Sequence, residues 1–157
     1  MTVLPFFKAP VRKINRVFIH CSASDRPEHD DISVIKKWHT SPDPKDPSKP
    51  WADVGYHYYI KFNGEIQHGR GLEITPAAQG KPNNSGTISI CLSGGQNGKS
   101  VAFTLDQFEA LVMLCQSIRA ALPEVTYHGH CEVSPKPCPV FDYKALLKLD
   151  EKGRMKD

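Results

Sequence analysis

The chain has 157 residues, with 20 Lys and Arg against 17 Asp and Glu, a formal net charge of +3 at pH 7. That length suits one domain able to bury a core and fold unaided, and the charge is too small and too evenly spread to mark a nucleic-acid binder. Five cysteines without regular spacing argue against a disulfide framework, and no apolar run is long enough for stable membrane insertion.

Residues 1–14 read as a lead-in, with Phe6 or Phe7 packing on the domain. Met1–Lys8 is apolar but too short for a signal core, and its positive charge follows the apolar part, so no signal peptide is expected. Arg16–Cys21 is a buried strand whose C-terminal end carries His20, where sites gather in α/β folds. The reading of His20 as a buried histidine bonded to backbone stands beside the functional one at this point. Asp31–His39 has helical spacing with Asp30 or Asp31 as N-cap, and Trp38 reads as core. The four prolines of Ser41–Pro50 exclude helix and central strand, leaving a stiff exposed loop that either walls a groove or simply connects.

Val54–Phe62, the Asn63-Gly64 turn and Glu65–Gly69 carry the strongest hairpin signal. Alternation puts Tyr56, Tyr58 and Ile60 on one face and His57, Tyr59 and Lys61 on the other. Gly69–Gly86 reads as loop with a short helix near 73–77, and Thr87–Ser93 as a strand with Cys91 a small buried hydrophobe. The best helix runs from Leu105 to about Leu122, capped by Thr104 with Gln107 and ended by Pro123. Its core stripe is Phe108, Leu111, Val112, Cys115, Ile118 and Leu122. Val125–His130 is a last strand, Phe141–Leu149 a short helix and Glu151–Asp157 a charged tail. Strands alternate with helices, giving an α/β domain with a mixed sheet of five or six strands.

His130–Cys138 is the stretch with the most chemistry: a histidine and a cysteine eight residues apart, with Lys136 held between Pro135 and Pro137 in an extended, stiff loop. The possible metal donors are His20, His57, His68, His128, His130, Cys131 and Cys138. On a strand, His128 and His130 project from one face and Cys131 from the other. A tetrahedral zinc held by His20, one of His128 or His130, and Cys138 would keep a fourth position for water, whereas a site using both histidines would be closed and structural. Spacing leaves the two open.

Four blocks in order, Val17–Ser24, Asp53–His57, Ser89–Gly95 and His130–Pro139, resemble the zinc-dependent N-acetylmuramoyl-L-alanine amidases. The likeness is to the phage lysozyme-type endolysins of the type 2 amidase and peptidoglycan recognition protein superfamily, and it covers roughly residues 15–147 of a domain bounded at about 15–150. It implies Zn2+ on His20, His130 and Cys138, with Tyr56 and Lys136 as the catalytic tyrosine and lysine. His128 then becomes strand filler or support, and Cys21 and Cys131 become packing residues facing away. The implied activity is hydrolysis of the amide bond between N-acetylmuramic acid and L-alanine in peptidoglycan. Zinc lowers the pKa of bound water towards about 7, and Lys136 stabilises the oxyanion.

Gln79-Gly80-Lys81 departs from the resemblance, since a histidine is usual at the first of these positions, and the proline-rich loop is longer than it implies. The rivals are a non-catalytic recognition module, which commonly lacks the ligand cysteine, and a cytoplasmic wall-recycling amidase, which has aspartate there. A regulatory contact with an RNA polymerase belongs to some such phage enzymes, but no residue here identifies one. The expected form is a monomer held in the host cytoplasm before lysis and acting on the periplasmic wall afterwards.

Overall fold

The structure, a computed structural model, describes residues 7–156. Five strands form one mixed sheet in the order β3-β2-β4-β1-β5: β1 Arg16–Cys21, β2 Tyr58–Ile60, β3 Ile66–His68, β4 Thr87–Leu92 and β5 Thr126–Gly129. β4 lies at the centre, between β2 and β1, and β1 runs parallel to both β4 and β5; only the hairpin strand β3 runs antiparallel. β1 and β4 are almost continuously buried, as strands covered on both faces should be.

The helices are α1 Ile32–His39, α2 Lys81–Asn84, α3 Leu105–Ala121 and α4 Tyr143–Leu146. α3 has the expected capping box between Thr104 and Gln107. It packs Leu111, Leu114, Cys115 and Ile118 on Val17 and Ile19 of β1 and on Ile88, Ile90 and Leu92 of β4. A smaller cluster on the other face joins Ile35 of α1 to Val54, Tyr59 and Cys91. Period-2 alternation along β1 therefore turns Phe18 and His20 away from α3. Among the described residues no helix is long and apolar enough to cross a membrane.

Several local readings differ from the sequence expectation. Trp38 is exposed, because α1 fully buries only Ile35 and leaves the indole edge-on to the His29 ring. β2 begins only at Tyr58, so alternation does not extend back to Tyr56, which packs with the Tyr59 cluster instead of sharing a face with Tyr58. The short helix lies at Lys81–Asn84 and not at 73–77: Pro76 would disfavour helix at Thr75, whereas Pro82 falls in the first turn, where its missing N–H costs nothing. The two ends of the described stretch are tied down. Phe6 lies outside the described residues, but Phe7 and Ile14 join the core, and beyond α4 the chain folds back to bridge Leu149 with Met155, itself a core residue.

Candidate metal centre

The sheet brings the end of β1 beside the end of β5, with Ile19 paired to Gly129. His20 is the penultimate residue of β1 and is fully buried. β5 stops at Gly129, and His130–Glu132 turn away as one 3-10 turn. That turn breaks the alternation that would have put His128 and His130 on one face. His128 instead lies against the Phe18 ring and bonds Thr126 and Glu132, while His130 lies against His20 with ring centroids 4.7 Å apart. Glu132 holds the turn: it accepts the Gly129 N–H at 3.0 Å and the Tyr143 hydroxyl. The following loop closes on itself through Cys131 N–H to the Cys138 carbonyl at 2.7 Å. This returns Cys138 to β1, where its Sγ accepts the Cys21 N–H at 3.1 Å.

Each of His20, His130 and Cys138 offers one donor atom, and all three atoms lie within 4.8 Å of one another. Two imidazoles and a thiol at the end of a buried strand make a donor set suited to zinc. His20 Nε2 is engaged by Gln79 at 2.8 Å, while His20 Nδ1 is buried without a hydrogen-bond partner. An orphaned buried acceptor is costly, and a metal ion is the partner that this donor set would satisfy. Burial first, and the neighbouring His130 second, push His20 down to about 3, so the ring is neutral as a ligand must be. Burial and the Lys136 charge lower His130 as well. The Cys21 thiol and burial push the Cys138 thiol up, against the pull of the Cys21 N–H; a divalent cation would reverse that balance.

His20 itself is fully buried, while His130 and Cys138 line an open groove of about 490 Å³, a size typical of ligand sites. Tyr56 and Lys136 line it with His39, Asp46, Lys49 and Trp51. Lys136 is exposed, in a bend of the loop and not in an extended segment. Burial raises the Tyr56 phenol well above its ordinary value, which keeps it a hydrogen-bond donor. The proline-rich loop is a wall of this groove. Lys49 lies over the Trp51 ring at 5.3 Å and between Asp43 and Asp46 at 3.9 and 4.0 Å, and the Trp51 N–H binds the His39 carbonyl.

The remaining histidines and cysteines have other places. His57 is buried, its Nδ1 accepting the Ser89 N–H and its Nε2 donating to the Ile74 carbonyl. His68 lies on β3 against the Tyr58 ring. Cys131 is exposed, so it is not a packing residue, and Cys21 does not face away but lines the groove beside Cys138. Three participants had no role at the site in the sequence reading. His39 accepts the Gly55 N–H at 2.9 Å and lies against Tyr56 and Trp51. Gln79 bonds His20, and Tyr143 braces Glu132. Position at the end of an amphipathic helix was the available signal for His39, and the departure from the resemblance was the signal for Gln79; for Tyr143 there was none.

A family profile described as N-acetylmuramoyl-L-alanine amidase matches residues 10–141. The chain is 34% identical over 138 residues to the endolysin of Escherichia phage T7, covering 86% of each protein. It is 30% identical over 143 residues to the endolysin of Klebsiella phage KP32, covering 89% of each. Among solved structures, the endolysin amidase LysCS from Clostridium intestinale superposes with a TM-score of 0.70 at 21% identity, over 87% of this chain and 83% of that one. Drosophila PGRP-LB superposes with 0.66, also at 21% identity, over 87% and 81%. The last two likenesses are of fold.

Proposed function

The chain belongs to the N-acetylmuramoyl-L-alanine amidase family, and we propose that His20, His130 and Cys138 are its zinc ligands, with Tyr56 and Lys136 acting on the substrate. The protein is a peptidoglycan hydrolase that cleaves the amide bond between N-acetylmuramic acid and L-alanine. The observation that carries the site assignment is the convergence of one donor atom each from His20, His130 and Cys138 within 4.8 Å, with His130 and Cys138 lining the same groove as Tyr56 and Lys136 and with a buried His20 nitrogen lacking a hydrogen-bond partner.

Zinc bound there supplies Lewis acidity and a water acidic enough to ionise near neutral pH. The chain's own residues do the rest. Lys136 presents an ammonium from the groove wall, where it stabilises negative charge developing on the scissile carbonyl oxygen. Tyr56, a protonated phenol, donates a hydrogen bond to the attacking or departing group. His39 holds the Gly55-Tyr56 segment through the Gly55 N–H, fixing where that phenol stands. The Lys49–Trp51 wall bounds the space for the stem peptide. In the same proposal the protein acts as a monomer and reaches the wall from the host cytoplasm once the membrane is breached, as the phage endolysins among its relatives suggest.

The test is mass spectrometry of soluble products from purified peptidoglycan, with and without a zinc chelator. Free stem peptides beginning at L-alanine, intact glycan strands and loss of release on chelation are expected. Peptide-bearing sugar fragments, or release indifferent to chelation, would overturn the reading.

A further inference from the structure

Gln79 is an amide buried to 2% exposure beside the strand end that carries His20. Its backbone is clamped from α2, where Asn84 Oδ1 accepts the N–H groups of Ala78 and Gln79, both at 3.1 Å. The side chain makes four hydrogen bonds. Nε2 reaches Thr87 Oγ1 at 2.7 Å and the Asn83 carbonyl at 3.3 Å, while Oε1 meets Ser89 Oγ at 2.7 Å and His20 Nε2 at 2.8 Å.

The donor and acceptor roles along this chain are forced. A backbone carbonyl has no proton to give, so the atom facing Asn83 is the amide nitrogen. The Thr87 hydroxyl already donates to the Asn84 carbonyl at 2.7 Å and must accept from Gln79. The atom facing His20 is then the amide oxygen, which only accepts. His20 Nε2 must therefore carry the ring proton. A neutral imidazole has one, so Nδ1 keeps its lone pair, and Nδ1 is the buried nitrogen with no hydrogen-bond partner.

We infer that Gln79 is the positioning residue that fixes His20 in the Nε2–H tautomer and presents Nδ1 to the metal, with Thr87 and Asn84 setting the polarity of the relay. The inference rests on the reading of His20, His130 and Cys138 as metal donors. A side-chain amide is well suited to the task because it neither gains nor loses a proton over the working pH range, so the polarity it imposes is constant. An acceptor on the far nitrogen of a ligating histidine typically accounts for a 10- to 100-fold difference in metal affinity.

The test combines ring 15N NMR of the metal-free protein with zinc titration of wild type, Gln79→Met and Gln79→Glu. In wild type, His20 is expected as the Nε2–H tautomer, with a slowly exchanging, downfield Nε2 proton. Gln79→Met, of similar length but with no acceptor, should lose that protected proton and bind zinc about 10- to 100-fold more weakly. Gln79→Glu, which keeps an oxygen facing His20 Nε2 but sets its other oxygen against the Asn83 carbonyl, should recover the protected proton and zinc affinity at a cost in Tm. A wild-type His20 protonated at Nδ1, or a Gln79→Met protein binding zinc as tightly as wild type, would overturn the inference. Failure of the wild type to bind zinc would instead bring down the metal reading beneath it. The tautomer, read without metal, tells the two failures apart, and the wild-type spectrum decides even if Gln79→Met does not fold.

Discussion

One methyl group added at Gly129 should couple core packing to the metal site. Gly129 ends β5 and immediately precedes His130. A Cβ there would fall 2.5 and 2.8 Å from the Tyr143 ring carbons Cε1 and Cζ and 2.9 Å from Pro139 Cδ, inside any contact that real side chains tolerate. Tyr143 is buried and bonded to Glu132, which in turn holds the Gly129 N–H, so the ring cannot swing away freely. Overpacking of this kind costs about 1–3 kcal/mol. For a chain of this size that lowers Tm by roughly 2–12 °C. Because the strain enters at the residue before His130, Gly129→Ala should also weaken zinc binding. Thermal unfolding and zinc titration of Gly129→Ala, Tyr143→Leu and the double variant form the assay. The double variant should recover part of the summed loss, since the smaller side chain relieves the clash. Unchanged Tm and zinc affinity in Gly129→Ala would refute the claim that Tyr143 and Glu132 hold the turn rigidly.

Lys136→Ala should keep zinc and Tm but lose about a hundred- to thousandfold in turnover; unimpaired release of stem peptides would remove Lys136 from the mechanism. Cys138→Ser should weaken zinc and lower the Tm of the zinc-loaded protein, because metal binding is linked to folding; full occupancy with unchanged melting would mean that Cys138 is not a ligand. Burial pushes His57 down to about 4 against its bond to the Ile74 carbonyl. Below pH 6.5 the unfolded chain takes a proton that the folded ring refuses, so stability present above that pH should fall by about 3 kcal/mol as pH drops to 4. Urea midpoints of metal-free wild type and His57→Gln between pH 7 and 4 check this, and identical pH slopes would refute it.

The elements legible in the sequence were those whose signal is local. β1, β4 and α3 announce themselves through an apolar run or a 3.6-residue stripe, and Thr104 with Gln107 writes the start of α3 into four consecutive residues. The donor set was legible only through the resemblance, because spacing left His128 and His130 equivalent. What separates them is the end of β5 at Gly129, which depends on the Glu132–Tyr143 contact 11 residues apart. Gln79 and His20 are 59 residues apart and Cys21 and Cys138 are 117 apart. No period carries such pairings. The departure at Gln79 was visible as an anomaly, yet its meaning required knowing which atoms the amide meets.

The site divides by origin in a way that predicts how substitutions should sort. Two of the metal donors and their supports come from buried strands: His20 on β1, Thr87 and Ser89 on β4, and Gly129 leading into His130 from β5. The third donor, Cys138, comes from the following loop but is tied to β1 through the Cys21 N–H. Packing on the sheet fixes their geometry before any ligand arrives, which is what a preorganised donor set needs. The groups placed to meet substrate come from loops: Tyr56 ahead of β2, Asp46, Lys49 and Trp51 on the stapled proline-rich wall, and Lys136 in the exposed bend. Loops tolerate change in length and sequence because few buried contacts depend on them. Substitutions at strand ends should therefore move zinc affinity and Tm together, whereas Asp46, Lys49 and Trp51 variants should move KM with zinc affinity intact. Asp46, Lys49 or Trp51 variants paired with strand-end variants should be additive in free energy to within about 0.5 kcal/mol, whereas Tyr56, whose ring lies 5.1 Å from that of His20, should couple to the donor set. A Lys49→Ala substitution that weakened zinc, or strong coupling between Lys49→Ala and Gly129→Ala, would mean that the wall and the donor set are one mechanical unit.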